Sequence, residues 1–425
     1  MEKTKEKARG ILRWSEKYTK TDMVYLASGS FWLFIKQGIQ TIISFIVLII
    51  LANVLTPLEY GNYKYILSII AVIGSIGLTG IRTATIQAVS RGLEGSLKAN
   101  FKHNIYWSFL SIISAVLVGG YYLINGNLII GISILVAGNL SSFTRSTNLY
   151  LAFLNGKSDF KAITFYGTIQ ALVTSATLVI TTFISTNIIV LISVSFLSDA
   201  IISYILYKRI LSVYRPNNEI DVDALVFGTH MSLTNLINVI LNQLDSILVF
   251  HFLGSEALAI YTFSITMPMY IAGSLKNVAI LAIPKLSRKS NDDISKSFFK
   301  KSFNFSFLLM SISLIYIIFS PFIFKIFFPQ YIDSVIYSQI FSLILPIIGF
   351  GILHGTFFDS KKIVKERYFL TFSSNIIKFI LVYFGLTIYG ILGLVIARLL
   401  SDLIKSMISS IIIIRIFKRD KLTTS

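Results

Sequence analysis

The sequence predicts an all-α integral membrane protein: twelve transmembrane helices in two six-helix, pseudo-twofold-related bundles around a central cavity. Three observations carry this prediction, namely an apolar composition, twelve runs of spanning length, and basic residues gathered on one side of those runs. The mean hydropathy is +0.75, and 54% of the 425 residues are hydrophobic while only 14% are charged. Soluble domains do not have this balance.

A helix rises about 1.5 Å per residue, so crossing the hydrocarbon core takes about 20 apolar residues. Runs that meet this length lie at 28–52, 61–86, 103–123, 127–149, 163–184, 187–207, 230–253, 261–284, 303–328, 337–358, 370–389 and 391–414. The first is too long for a secretory signal and lacks a small-residue cleavage site on its outer side, so it stays attached as a helix. Gly74, Gly77 and Gly80 in the second run suit close helix packing, while Pro268, Pro321 and Pro346 in the eighth to tenth are expected to bend their helices.

Of the 38 Lys and Arg residues, 29 fall in the N-terminal segment, the even-numbered loops and the C-terminal tail, on one face; the six opposite loops hold none. Positive charge accumulates in cytoplasmic loops, so both termini are cytoplasmic. The net charge of +18 reports orientation and contact with anionic headgroups of the membrane lipids, and needs no nucleic-acid partner. Residues 1–27 read as a cytoplasmic amphipathic segment, because Ile11, Trp14 and Tyr18 recur at helical spacing among charges. The expected organisation is this segment, a bundle over 28–207, a polar cytoplasmic linker over 208–229, a second bundle over 230–414 and a tail over 415–425.

The two bundles are expected because the chain resembles itself at an offset of 197–198 residues. Leu55-Thr-Pro-Leu-Glu-Tyr-Gly-Asn-Tyr63 follows the first run and Leu253-Gly-Ser-Glu-Ala-Leu-Ala-Ile-Tyr261 the seventh; Ile86 to Arg91 and Ile283 to Arg288 follow the second and eighth. Six spans per half give both halves the same orientation, which suits lobes rocking about a shared cavity through a flexible joint.

The stretch at 55–63, the Asn242-Gln-x-Asp245 and Leu-Gly-x-Glu residues over 242–256, and the 6+6 plan resemble the polysaccharide-unit flippases of O-antigen and capsule assembly. These belong to the multidrug/oligosaccharidyl-lipid/polysaccharide exporter superfamily. The resemblance implies translocation of an undecaprenyl-pyrophosphate-linked oligosaccharide from the inner to the outer leaflet of a bacterial cytoplasmic membrane. It also implies work alongside a polysaccharide polymerase and chain-length machinery. A drug or metabolite exporter of the same superfamily is the alternative; it would favour buried acids, whereas this chain has more buried cations.

Nine cations lie within or at the ends of the spans, where each costs at least roughly 2.5–3.5 kcal/mol at the bilayer centre. Lys64, Arg145 and Lys325 sit at the ends of the expected runs and are expected to snorkel. Lys36, Lys276 and Lys378 lie deeper and Arg82 is intermediate, near the inner end of the second span; a transported pyrophosphate needs a cationic surface, so these four are candidates for its binding. Gln40 in the first span and Asn238 and Asn242 in the seventh fall in polar stripes at corresponding positions and are candidates for lining the same cavity. Arg398, Asp402 and Lys405 share one face of the last span, which points to an Arg398–Asp402 ion pair. Asp199 and Asp245 have no partner on their own helices; each could pair with a cation elsewhere or bind a coupling H⁺ or Na⁺.

No cofactor is expected beyond such an ion. There is no cysteine, the four histidines have no metal-ligand spacing, and no phosphate-binding Gly-x-x-x-x-Gly-Lys-Ser/Thr loop is present. No outer loop is long enough to carry a catalytic domain, so a transporter is expected rather than an enzyme.

Overall fold

The computed structural model describes residues 23–280, 294, 295, 297–361 and 363–424, and every regular element among them is helical. Most of the 1–27 segment and the 283–288 copy of the duplicated motif lie outside the described residues. The α-helices are α1 Met23–Val54, α2 Pro57–Ser75, α3 Ile81–Ser90, α4 Ser96–Ile124, α5 Leu128–Thr147, α6 Leu149–Gly156 and α7 Phe160–Ile184. They continue with α8 Ile188–Tyr214, α9 Val222–Ile280, α10 Phe298–Phe327, α11 Ser334–Ser342, α12 Ile344–Ser360 and α13 Val364–Thr424.

Among the described residues, nine helical stretches are long and apolar enough to cross a membrane. Two of them, Val226–Gly273 and Lys365–Arg419, run for 48 and 55 residues. Each turns at a glycine with positive φ, Gly254 (87°) or Gly390 (59°), a conformation that costs any residue with a Cβ. Each therefore holds two of the expected runs.

The second expected run, 61–86, is split between α2 and α3. Glycine at 74, 77 and 80 weakens the helix, and the Gly80 N–H donates to Ser232 Oγ at 2.9 Å instead of to its own helix. A Cβ on Gly80 would stand 2.3 Å from the Gly228 carbonyl oxygen, so the break is also where α9 comes closest. Conversely, α5 and α6 follow one another with only Asn148 between them, giving one continuous span, Leu128–Gly156. Arg145, expected at a span end, is therefore interior. Pro346 is the third residue of α12, where a missing N–H costs nothing, so it opens a helix rather than bending one.

The chain forms two compact units, one drawing on Met1–Leu55 and Asn62–Leu244, the other on Thr56–Gly61 and Asp245–Ser425. In the first unit α1 packs along α7 in parallel. Gly29 lies against the Phe160 ring, the Thr164 hydroxyl donates to the Trp32 carbonyl at 2.9 Å, and Lys36 lies over Gly167. Helices α4 and α5 run antiparallel through small residues, Gly119 against Gly131 and Ala115 against Gly138, the close approach common between helices in lipid. The core gathers Tyr150, Phe153 and Leu154 with Ile81, Tyr207 and Ile210. Phe109, Leu117, Phe165 and Phe183 face outward, as lipid-facing helices require.

The linker expected to be a flexible joint is fastened down. Asn217 Oδ1 accepts the N–H groups of Glu94, Gly95 and Glu219, at 3.1, 3.2 and 3.1 Å, and its amide donates to the Gly92 carbonyl at 2.8 Å. Asp221 is buried, takes Arg91 as its ion-pair partner, and donates its N–H to Ser96 Oγ at 2.9 Å. A Cβ on Gly95 would meet the Asn218 and Glu219 backbone at 2.7–2.9 Å. An Asn side chain that satisfies four backbone groups makes the crossing a fixed strap.

In the second unit the Thr-Pro-Leu-Glu motif is a helix start. Glu59 Oε2 accepts from the Thr56 N–H and hydroxyl at 2.8 and 2.9 Å, and the Glu59 N–H donates to Thr56 Oγ1 at 3.3 Å. This is a reciprocal capping box with proline at the first helical position. Tyr60 packs against Phe263 and Tyr331, whose rings stack 3.9 Å apart. A Cβ on Gly61 would stand 1.9 Å from the Ser255 carbonyl oxygen. A second cluster joins Phe298, Phe357, Phe358 and Phe417, with buried His354 hydrogen-bonded through Nδ1 to Ser409 at 2.6 Å.

Candidate functional site

Each unit holds charged groups within its spanning helices, and the two sets are built differently. In the first unit Lys36 projects from α1 onto α7 at Gly167, where a Cβ would stand 2.8 Å from Lys36 Cε and 2.9 Å from Nζ. Glycine at 167 is therefore what admits the ammonium. Arg82, in the first turn of α3, is exposed. Among the described residues neither cation has a carboxylate within 4 Å. A cation held between two helices without an acid is a place that favours an anion.

Asp199, on α8, has the opposite character. Gln170 Nε2 donates to Asp199 Oδ1 at 2.7 Å and to Asn148 Oδ1 at 3.0 Å, while the Tyr150 hydroxyl donates to Gln170 Oε1 at 2.8 Å. Both amide hydrogens of Gln170 are engaged, so the carboxylate is oriented by neutral groups from α6, α7 and the α5–α6 junction. Among the described residues no cationic side chain lies within 4 Å of it.

In the second unit one carboxylate serves two cations. Asp245 Oδ2 lies 3.2 Å from Lys378 Nζ and 3.3 Å from Arg398 Nη1, and the three side chains are 4%, 20% and 15% exposed. Tyr261 donates its hydroxyl hydrogen to Asp245 Oδ2 at 3.2 Å and accepts from Arg398 Nη1 at 2.9 Å. The guanidinium also lies over the Phe341 ring, 5.1 Å from its centroid. Arg398 thus turns to another helix rather than closing on Asp402, its expected in-helix partner. Among the described residues Asp402 has no cation within 4 Å. The reason is reach: Asp245 and Tyr261 together offer the planar guanidinium two acceptors, where Asp402 offers one at the same helix surface.

The other expected residues are scattered. Gln40 is half-buried one turn beyond Lys36, Asn238 is half-buried on α9, and Asn242 is exposed there. Lys276 sits on α9, and its side chain lies outside the described residues. Lys378, expected as a pyrophosphate ligand, is engaged by Asp245. Sequence reasoning missed Tyr261, Gln170, Asn148 and Tyr150. Tyr261 had a signal, because it closes the second copy of the duplicated motif; the other three are neutral side chains on separate elements, which no spacing connects.

A polysaccharide biosynthesis protein family matches residues 26–290. No curated protein matches the chain by sequence. Solved structures match over most of its length. An inward-facing multidrug resistance MATE family transporter of the MOP superfamily superposes with a TM-score of 0.66 at 11% identity, covering 91% of this chain and 96% of that one. An inward closed lipid II flippase MurJ gives 0.64 at 12% identity, covering 89% and 86%. An outward-facing MATE family transporter gives 0.57 at 13% identity, covering 93% and 96%. The chain belongs to the polysaccharide biosynthesis protein family, and it is a multi-pass membrane protein with the fold of the MOP superfamily.

Proposed function

We propose that the protein is a flippase that moves undecaprenyl-pyrophosphate-linked oligosaccharide units, of O-antigen or capsule type, across a bacterial cytoplasmic membrane by alternating access. The observation that carries this reading is Lys36, held between α1 and α7 over Gly167 with no carboxylate within 4 Å among the described residues. A pyrophosphate supplies the negative charge that such a cation lacks, and carries it away again when the lipid leaves. The family match and the shared fold with a flippase of a lipid-linked precursor support the same substrate class. Asp199 is the carboxylate suited to carry a coupling ion, because Asp245 is already occupied by two tethered cations.

The test is export of surface polysaccharide in cells that carry Lys36→Glu or Lys36→Arg as their sole copy. Reversal of charge should abolish export with lipid-linked units accumulating on the inner leaflet, and Arg should preserve most of it. Equal export by both variants would end the proposal. The alternative, export of a cationic drug, predicts instead that dye efflux depends on Asp199 and is indifferent to Lys36.

A further inference from the structure

Arg145 projects from α5 onto α2 at Gly74, where a Cβ would stand 1.7 Å from Nη2, 2.7 Å from Cζ and 3.2 Å from Nη1. The glycine is a seat cut to the guanidinium. Twelve residues of continuous helical span separate Arg145 from Lys157, the first cation of the cytoplasmic loop, so the group lies about 18 Å along the helix from that end. That distance exceeds what one stem length of snorkelling covers.

The seat is polar and otherwise small. The antiparallel register that sets Ala115 against Gly138, continued by two turns, brings Arg145 level with Ser108 on α4. Ser111 lies beside Gly77, its Oγ 3.3 Å from where a Cβ would be, and Ser108, Ser111 and Ser142 are all buried. Among the described residues the guanidinium makes no hydrogen bond, and no carboxylate lies within 4 Å. Guanidinium does not shed its proton in proteins, and an intramembrane charge calls for a counter-charge. The chain supplies none among the described residues, although it gives Arg398 an acid, a phenol and an aromatic face.

We propose that Arg145 is a phosphate-binding residue, seated on Gly74 to receive the pyrophosphate of the transported lipid with its planar fork. This rests on the flippase reading and adds to it a third cation, on a helix from which neither Lys36 nor Arg82 projects. Gly74 is the positioning residue, because any side chain there displaces the fork without changing the charge.

The experiment uses the full chain in nanodiscs of phosphatidylcholine, with inorganic pyrophosphate as the probe. Arginine modification by phenylglyoxal is followed residue by residue by mass spectrometry, with exposed Arg209 as the internal reference. Pyrophosphate should slow modification of Arg145 on the order of tenfold, the factor that one charge-assisted hydrogen bond carries, and leave Arg209 unchanged. In Gly74→Ala of unchanged thermal stability the protection should disappear; if that variant unfolds, wild-type protection decides alone. Binding of pyrophosphate by calorimetry without protection of Arg145 would overturn the assignment while leaving the flippase reading intact. Absence of any pyrophosphate binding would overturn both. Protection by phosphatidylglycerol discs alone, indifferent to pyrophosphate, would overturn the assignment in favour of a bound structural lipid.

Discussion

Lys378 Nζ lies 3.2 Å from Asp245 Oδ2, the same oxygen that Arg398 Nη1 reaches at 3.3 Å. One buried acid therefore holds two cations from α13, and Tyr261 bridges acid and guanidinium. A group committed in this way is a structural keystone of the second unit. Removing one member of a buried ion cluster leaves its partners charged and desolvated, which costs more than the cluster contributes.

Asp245→Asn should destabilise the protein by roughly 3–5 kcal/mol, read as a lowered unfolding temperature in detergent. Lys378→Met should cost less, because Arg398 remains to neutralise the carboxylate. In the Asp245→Asn, Lys378→Met double variant the losses should be less than additive. Strict additivity would mean that the two groups do not interact.

Asp199→Asn preserves the shape of the Gln170 network but holds no charge and no titratable proton. Transport should lose its dependence on the ion gradient while the folded state stays within about 1 kcal/mol of wild type, the scale of one hydrogen bond. Measured in vesicles with and without an imposed gradient, the variant should give equal rates. A response to the gradient as large as that of wild type would remove Asp199 from coupling.

The strap across 215–221 belongs to the first unit, so tying it there should change nothing. The chain has no cysteine, which makes an introduced pair at Glu94→Cys and Asn218→Cys free of background while it leaves the Asn217 side chain in place. Oxidised and reduced forms should transport at equal rates. Loss of transport on oxidation, restored by reductant, would show that the linker must undock.

Gly61→Ala places a Cβ 1.9 Å from the Ser255 carbonyl oxygen, and the backbone there has no flexible side chain to yield. The expected cost is about 1–3 kcal/mol of stability, with Gly38→Ala, where a Cβ meets nothing within 4 Å, as the control that loses nothing and gains up to about 1 kcal/mol of helix propensity. Thr56→Val should cost about 1 kcal/mol through loss of the helix cap. Denaturation midpoints should be lowest for Gly61→Ala, intermediate for Thr56→Val and highest for Gly38→Ala.

The helical membrane class is legible because hydropathy depends only on composition along the chain. The capping box at Thr56 and Glu59 was visible as letters, yet its role was not: the motif that carried the family resemblance starts a helix and plugs a core. The second span was misread as continuous because glycine's helix-weakening effect is modest until a neighbour, here Ser232 and Gly228, rewards the break. Arg145 was misplaced by a boundary, since α6 follows Asn148 directly and extends the span.

The sequence by itself determined that this is a helical membrane protein, with cations in its spans at a cost that demands a reason. Only the tertiary structure decided which of those cations are already satisfied. Lys378 and Arg398 are held by Asp245 and Tyr261, whereas Lys36, Arg82 and Arg145 have no carboxylate within 4 Å among the described residues. Charge is a property of a residue and can be read along the chain. Its neutralisation is a property of distances of about 3 Å between helices 130 or more residues apart, which no local pattern encodes.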